Sequence, residues 1–130
     1  MAALDLPLFG NIVLCAILVS AAYTFSVALV AGRGRLHLLP AVRSGVYGTV
    51  GLIALAMCTL AYAFQSHDFR IRYVLRYSDR SMEWYYLVAS LWGGQDGSIL
   101  WWCFLVGGYS ALCAYSLRNR LPELQPYILA

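Results

Sequence analysis

The sequence predicts an all-α membrane protein with about three transmembrane helices and an outer loop that holds a possible short strand and an interfacial helix. Two observations support this fold class. Of the 130 residues, 62% are hydrophobic and only 12% are charged, roughly half the charged share of soluble domains. Three stretches also reach the roughly 20 apolar residues that a bilayer-spanning helix needs. A segment within lipid must satisfy its own backbone hydrogen bonds, so each stretch is expected to be helical.

The spans are predicted at about residues 6–31, 42–64 and 98–117, with the outer loop at 65–97 and the start of a fourth span at about 122. Gly32, Arg33 and Gly34 end the first span, and Arg118 and Arg120 follow the third. The sequence stops soon after the fourth apolar segment begins. We therefore expect residues 1–130 to be a single N-terminal membrane segment of a larger polytopic protein, or a split subunit that works beside the remainder.

Small residues recur in the first two spans and predict close helix packing there. They are Ala21, Ala22 and Ala28 in the first span, and Gly45, Gly48, Gly51 and Ala54 in the second. The spacing of these glycines does not match a strict four-residue dimer motif. Helix packing is therefore expected without a particular dimerisation face.

Composition also excludes several classes of function. The net charge of +3 is small and scattered, which does not predict nucleic-acid binding. The four cysteines lie inside apolar runs without a CxxC pair, so neither disulfides nor metal binding are expected. No ionisable residue lies in mid-span, which disfavours a transporter. No nucleophile or acid–base pair is visible, so this segment is expected to carry no catalytic residue.

The distribution of arginine predicts the orientation in the membrane. The short connection between the first two spans holds Arg33, Arg35 and Arg43 without an acid, whereas only Asp5 precedes the first span. Dense basic charge on a short loop favours the cytoplasmic side. The N-terminus and the loop at 65–97 are then expected on the outer side, although the loop's own arginines weaken this bias.

The outer loop shows two patterns. Between residues 68 and 77 every second side chain is apolar (Phe69, Ile71, Tyr73, Leu75 and Tyr77), and Arg70, Arg72 and Arg76 point the other way, which predicts a short strand. A weaker helical alternative comes from the four-residue spacing of Arg72, Arg76 and Arg80. Residues 81–92 are apolar and aromatic, which predicts a short helix in the membrane interface that is broken at Gly93 and Gly94. Asp96 and Ser98 would then cap the N-terminus of the third span.

The most informative stretch is the glycine-rich junction between this loop and the third span. We call the following residues the junction platform: Trp92, Gly93, Gly94, Gln95, Asp96, Gly97, Ser98, Trp101 and Trp102. Free backbone N–H groups at a helix start attract carboxylates, and indole faces accept a planar apolar ring. Arg70, Arg72 and Arg76 could pair with further carboxylates or a partner protein. Haem fits this chemistry, although Asp96 would repel a propionate.

Each of these residues also has an ordinary structural explanation. Tryptophans at a membrane boundary usually act as anchors, and arginines there usually meet lipid phosphates. A glycine pair can be a simple hinge. His37 and His67 lie near span ends, where a solvated histidine is a more common interpretation than an axial haem ligand.

Residues 92–102 resemble the WGxHEGSLLLW-type motif of the CcmF family, the haem lyase component of cytochrome c maturation. Upstream, Asp68 with Phe69, Tyr73 with Val74, and Tyr77 with Ser78 fall where that family has a DF…YV…S segment after its second span. Downstream, residues 118–122 resemble the short basic loop before the fourth span. The resemblance follows the whole chain in order, and the junction is its most specific part.

The resemblance implies a multi-pass protein of the bacterial inner membrane that takes haem from the periplasmic chaperone CcmE and helps attach it to apocytochrome c. The family's tryptophan-rich WWD domain and haem-ligating histidines have no match in residues 1–130. Gln95 and Asp96 stand where the family motif has histidine and glutamate, so a histidine role does not carry over. Haem is therefore expected to be ligated outside this segment.

A second hypothesis needs no haem. The chain could be a small structural or assembly subunit of a respiratory or transport membrane complex, with its aromatic residues as anchors in lipid. In that case a conservative change such as Trp92→Phe would matter little.

Overall fold

A computed structural model describes residues 5–79, 81–118 and 127, and within them it contains helices and no strand. The helices are α1 (Leu6–Gly32), α2 (Leu39–Gln65), α3 (Arg72–Tyr77), α4 (Trp84–Gly93) and α5 (Gln95–Ser116), and a short 3₁₀ helix at Leu36–Leu38 precedes α2. The helices at Leu6–Gly32, Leu36–Gln65 and Gln95–Ser116 are long and apolar enough to cross a membrane. The predicted all-α membrane fold with three spans is confirmed. The predicted start of a fourth span lies almost wholly outside the described residues.

Local sequence explains the ends of the first two long helices. Proline occupies the first turn of both α1 and α2, where its missing N–H costs no intrahelical hydrogen bond. After α1, Gly34 adopts a φ of 98°, a left-handed conformation that glycine adopts without a steric penalty. The predicted end of the first span at Gly32, Arg33 and Gly34 is confirmed.

The second helix organises the bundle, because α2 packs against both α1 and α5 while these two make little contact with each other. At the α1–α2 contact, a Cβ atom on Gly45 would collide with the Thr24 hydroxyl. Ser20 and Thr49 share a hydrogen bond of 2.7 Å across the same interface. The expected close packing is found at Gly45, whereas Gly48 has open space where a side chain would stand.

The predicted strand at residues 68–77 is wrong, because α3 occupies most of it. Tyr73 and Tyr77 lie one helical turn apart, and their ring centroids are 4.8 Å from each other. Val74 is fully buried in a cluster with Phe64 and Leu87. A helix satisfies its own backbone hydrogen bonds without a partner strand, so the four-residue spacing of Arg72 and Arg76 was the informative pattern.

The predicted short helix before the glycine pair is confirmed as α4, but the predicted cap of the third span is wrong. Gly94 is the N-cap of α5, and no side chain caps that end. The Ser98 hydroxyl instead donates to the Trp92 carbonyl oxygen at 2.7 Å. Asp96 lies within the first turn, where its negative charge is favourable beside the positive end of the helix dipole.

The end of the bundle that carries residues 65–97 is called the loop end. There Arg70 links two helix ends, because its guanidinium lies 3.2 Å from the Asp5 carboxylate at the start of α1 and 2.7 Å from the Asp68 carboxylate just after α2. The candidate functional residues of the junction lie at this end.

Candidate functional site

A tyrosine from α3 fastens the junction between α4 and α5. The Tyr73 hydroxyl accepts a hydrogen bond from the Gly94 backbone N–H at 3.1 Å and donates one to the Ser90 carbonyl oxygen at 3.2 Å. Its ring packs edge-on against Phe64 of α2, with 5.6 Å between centroids. One side chain therefore satisfies backbone groups at the break while resting on a transmembrane helix. We call this arrangement the Tyr73 clasp.

Two glycines of the junction platform are required by this clasp. A Cβ atom on Gly94 would lie 2.6 Å from the Tyr77 ring and 2.8 Å from the Tyr73 ring. A Cβ atom on Gly97 would collide with the Leu91 carbonyl oxygen and with the Tyr73 hydroxyl. Nothing lies within 4 Å of the corresponding position on Gly93. Close backbone approach is therefore a requirement at Gly94 and Gly97 and not at Gly93.

The tryptophans of the platform line an open groove at the junction. Trp92, Ser98, Trp101 and Trp102 enclose about 370 Å³. The rings of Trp92 and Trp101 lie 5.7 Å apart and are tilted by 40°. Trp102 is 65% exposed, so one of its faces is available to lipid or to a partner. We call this site the tryptophan groove.

The tryptophan groove can offer apolar and aromatic contact, and one hydroxyl. The Ser98 hydroxyl is already engaged by the Trp92 carbonyl. Indole rings and a serine hydroxyl are not ligands that bind iron in haem proteins. The groove therefore suits the face or edge of a planar apolar group, or an apolar peptide segment, and does not supply an axial ligand.

The acidic member of the platform lies in a different cavity. Asp96 and Gly97 line a cleft of about 470 Å³ between α1, α2 and α5, together with Arg70, Arg72 and Tyr73. We call it the inter-helix cleft. The predicted platform thus divides into two separate surfaces, an aromatic groove and a cleft with charged residues. Gln95 is exposed and lines neither of them.

The three predicted arginines do not act as one group. The Arg70 side chain donates to both carboxylate oxygens of Asp68, at 2.8 and 2.7 Å. This hydrogen bonding lowers the pKa of the Asp68 carboxyl and raises the pKa of the Arg70 guanidinium. Arg72 reaches the inter-helix cleft, whereas Arg76 is exposed near the end of α3. Arg70 is therefore structural, and Arg72 and Arg76 are the more available cations.

His67 is less solvated than the sequence suggests. It has a φ of 52°, and its Nδ1 atom lies 3.2 Å from the Gln65 carbonyl oxygen. Its Nε2 atom is buried and has no hydrogen-bond partner within the part of the chain that the structure describes. His67 lines a cavity with Phe9 and Cys58, not the tryptophan groove. The histidine is therefore not positioned to ligate a group held between the tryptophans.

Sequence reasoning missed the residues that hold the junction together, namely Tyr73, Tyr77, Ser90 and Leu91. A usable signal was present, because Tyr73 and Tyr77 are four residues apart and so share one face of a helix. The assumed strand also placed the two rings on one face, but only a helix stacks them directly.

Comparison with curated proteins identifies cytochrome c-type biogenesis proteins as relatives. The chain is 33% identical over 121 residues to the cytochrome c-type biogenesis protein CcmF of Pseudomonas aeruginosa, covering 92% of this chain and 18% of that protein. It is 36% identical over 86 residues to the probable cytochrome c-type biogenesis protein NrfE of Escherichia coli, covering 66% of this chain and 16% of that protein. The chain thus spans less than a fifth of the length of these relatives. No protein-family profile matches it.

Among solved structures, the cytochrome c haem lyase CcmF matches the entire chain. The TM-score is 0.86 at 28% sequence identity, and the match covers 100% of this chain and 22% of that structure. The likeness includes the three long helices and the loop-end helices between the second and third spans.

Proposed function

Because this chain corresponds to the N-terminal portion of the CcmF-type cytochrome c biogenesis proteins, we propose that it acts in cytochrome c maturation as a membrane component of a haem lyase. In this proposal the complete protein receives haem from a periplasmic haem chaperone, CcmE, and delivers it to apocytochrome c for thioether attachment. The observation that carries the proposal is the match of the whole chain to a haem lyase structure at a TM-score of 0.86.

The tryptophan groove is the surface that we assign to this work. Trp92, Trp101 and Trp102 present aromatic faces beside a junction that the Tyr73 clasp holds in place. Aromatic faces bury large apolar area with little loss of side-chain entropy, which suits a transient contact with haem or an apolar stretch of apocytochrome. Arg76 lies exposed on the same loop and could meet a carboxylate of haem or of a partner.

Haem supplies the vinyl groups that become thioether-linked, and its iron would be ligated by residues elsewhere in the complete protein. The side chains that line the tryptophan groove provide apolar contact and orientation only. Their task would be to shield one face of a planar group from water at the membrane surface. This segment then needs no catalytic residue of its own.

The location follows from the same proposal. The protein would lie in the bacterial inner membrane, with the N-terminus and the loop end on the periplasmic side, where cytochrome c is assembled. The arginine bias of the connection between α1 and α2 supports this orientation. A cysteine introduced at Arg76 should then react with a membrane-impermeant maleimide in intact cells, whereas one at Arg35 should react only after permeabilisation.

The direct test of function is genetic. Deleting the gene should abolish covalently haem-stained c-type cytochromes while leaving b-type cytochromes, and the full-length gene should restore them. Purification of the full-length protein should recover the haem chaperone or apocytochrome c. Normal cytochrome c in the deletion strain, or recovery of an unrelated respiratory complex alone, would contradict the proposal and favour the structural-subunit hypothesis.

A further inference from the structure

We propose that the inter-helix cleft binds one zwitterionic phospholipid of the ethanolamine type, with its phosphate at Arg72, its ammonium group at Asp96 and part of an acyl chain between α1, α2 and α5. This inference is independent of the haem lyase proposal. It depends on the position, lining and charge of the cleft.

The position of the cleft fits a lipid. It opens at the loop end of the bundle and is bounded by the start of α1, the last turns of α2 and the start of α5. It follows α1 from Leu6 to Leu14, a length of about 12 Å at the rise of an α-helix. Since α1 and α5 make little contact with each other, the space between them is open to the side. A membrane lipid can enter from there without crossing the protein.

The lining changes from charged to apolar with depth. Arg72 and Asp96 lie at the loop end, while Leu14, Leu60 and Leu100 form walls nearer the bilayer core. Leu100 is one helical turn beyond Asp96 along α5. A volume of about 470 Å³ falls within the range of roughly 300–1,000 Å³ that ligand sites occupy. This order of polarity matches an amphiphile that lies parallel to the spans.

The charged side chains of the cleft determine which lipid headgroup fits. Arg70 also lines the cleft, but Asp68 and Asp5 engage its guanidinium. The side chains of Arg72 and Asp96 make no ion pair or hydrogen bond with any residue in 5–79, 81–118 or 127. The cleft therefore offers one available cation and one available anion. A phosphate with a tethered primary ammonium complements both, and its N–H groups can donate to the carboxylate.

The same charges disfavour other amphiphiles. An anionic phosphoglycerol lipid would leave Asp96 without a partner and near a negative phosphate. A quaternary choline headgroup has no N–H group to donate to Asp96. Asn11, an exposed amide of α1 that also lines the cleft, can donate to a glycerol ester carbonyl of the bound lipid.

The test is native mass spectrometry of the full-length protein, reconstituted in nanodiscs that contain equal amounts of phosphatidylethanolamine, phosphatidylglycerol and phosphatidylcholine, and then released in mild detergent. The wild-type protein should retain one phosphatidylethanolamine. Arg72→Gln should reduce its retention about tenfold, since a charge-assisted hydrogen bond is lost. Arg76→Gln makes the same change one turn along α3, outside the cleft, and should retain the lipid as the wild type does.

Two further variants keep the result interpretable. Asp96→Asn should shift retention towards phosphatidylglycerol, because it removes only the negative charge. Leu100→Trp should exclude every lipid by filling the cleft, without altering its charges. Equal retention of the three lipids by the wild type, or no difference between Arg72→Gln and Arg76→Gln, would overturn the proposal.

The remaining alternative occupant is another helix of the complete protein. A benzoylphenylalanine photo-crosslinker in place of Leu14 in living cells should give a lipid adduct on the full-length protein. A crosslink to protein alone would show that a helix fills the cleft and would overturn the proposal. None of these readouts uses cytochrome c, so their failure is distinguishable from failure of the proposed function.

Discussion

The Tyr73 hydroxyl accepts a hydrogen bond from the Gly94 N–H group at 3.1 Å. A side chain of α3 therefore contacts the N-cap residue of the third span. This bond supplies the partner that a capping side chain would otherwise provide for the backbone at the break. Because the Tyr73 ring also rests on Phe64, the geometry of the tryptophan groove is coupled to α2.

Removing the Tyr73 hydroxyl should loosen the junction. Tyr73→Phe keeps the ring but leaves the Gly94 N–H and the Ser90 carbonyl without this partner, which should cost about 1–2 kcal/mol of unfolding free energy. The measurement is thermal unfolding of the purified full-length protein in detergent. Tyr77→Phe is the matched control, because the Tyr77 hydroxyl has no hydrogen-bond partner among the described residues. Equal stability of the two variants would refute the importance of the clasp.

The glycines of the junction should differ sharply in their tolerance of a methyl group. Gly97→Ala places Cβ against the Leu91 carbonyl and the Tyr73 hydroxyl, and overpacking of this kind typically costs about 1–3 kcal/mol. Gly93→Ala enters open space and should be nearly neutral. Steady-state amounts in the membrane and thermal stability would reveal the difference. Two variants of similar stability would show that the predicted collision is absent.

The same contrast applies within the membrane. Gly45→Ala should separate α1 from α2, because the added Cβ meets the Thr24 hydroxyl, whereas Gly48→Ala meets nothing within 4 Å. We expect Gly45→Ala to lose about 1–3 kcal/mol and Gly48→Ala to resemble the wild type. Resistance to unfolding by a denaturing detergent would measure this. The prediction fails if Gly48→Ala is the less stable variant.

The Arg70 cluster should make stability depend on pH at the acidic end. Hydrogen bonding from Arg70 lowers the pKa of Asp68, so the folded state favours the ionised carboxylate. Its stabilising effect is complete above the ordinary aspartate pKa of about 3.9 and is lost as the pH falls through the lowered value. Arg70→Gln should therefore reduce the melting temperature at pH 6, and the difference from wild type should shrink towards pH 3.

High salt should also weaken the ion pair between Arg70 and Asp5, because both side chains are exposed. Arg76→Gln serves as the control for loss of one positive charge on the loop. A pH profile of Arg70→Gln that runs parallel to the wild type would contradict the assigned role of Asp68.

The sequence predicted the parts of the fold that depend on apolar length. The three spans and α4 were found near their expected positions, since about 20 consecutive apolar residues have few alternatives to a spanning helix. The α3 segment was assigned wrongly, because six residues are too short for periodicity to separate a strand from a helix. The helix is favoured by the burial of Val74 against α2, a tertiary contact that the local sequence pattern does not contain.

For the candidate site, the sequence predicted which residues belong to it but not how they are arranged. Trp92, Trp101 and Trp102 do line one groove. Trp101 and Trp102 lie three and four residues beyond Ser98 on α5 and so flank it, whereas Trp92 comes from α4. The separation of Asp96 into another cavity, and the function of Gly94 as a point of close approach, depend on the position of Tyr73. That position is set by packing against Phe64, a contact that a single sequence does not reveal.

The central claim is that the tryptophan groove serves cytochrome c maturation. Its most direct test measures haem-stained c-type cytochrome in cells whose only copy of the full-length gene carries both Trp92→Ala and Trp101→Ala. The control strain carries Trp84→Ala, which changes an exposed tryptophan of α4 outside the groove. The two strains are compared at equal membrane abundance of the protein. The account predicts a loss of most of the haem-stained cytochrome for the groove variant and near-normal cytochrome for Trp84→Ala. Equal cytochrome levels in the two strains would contradict it.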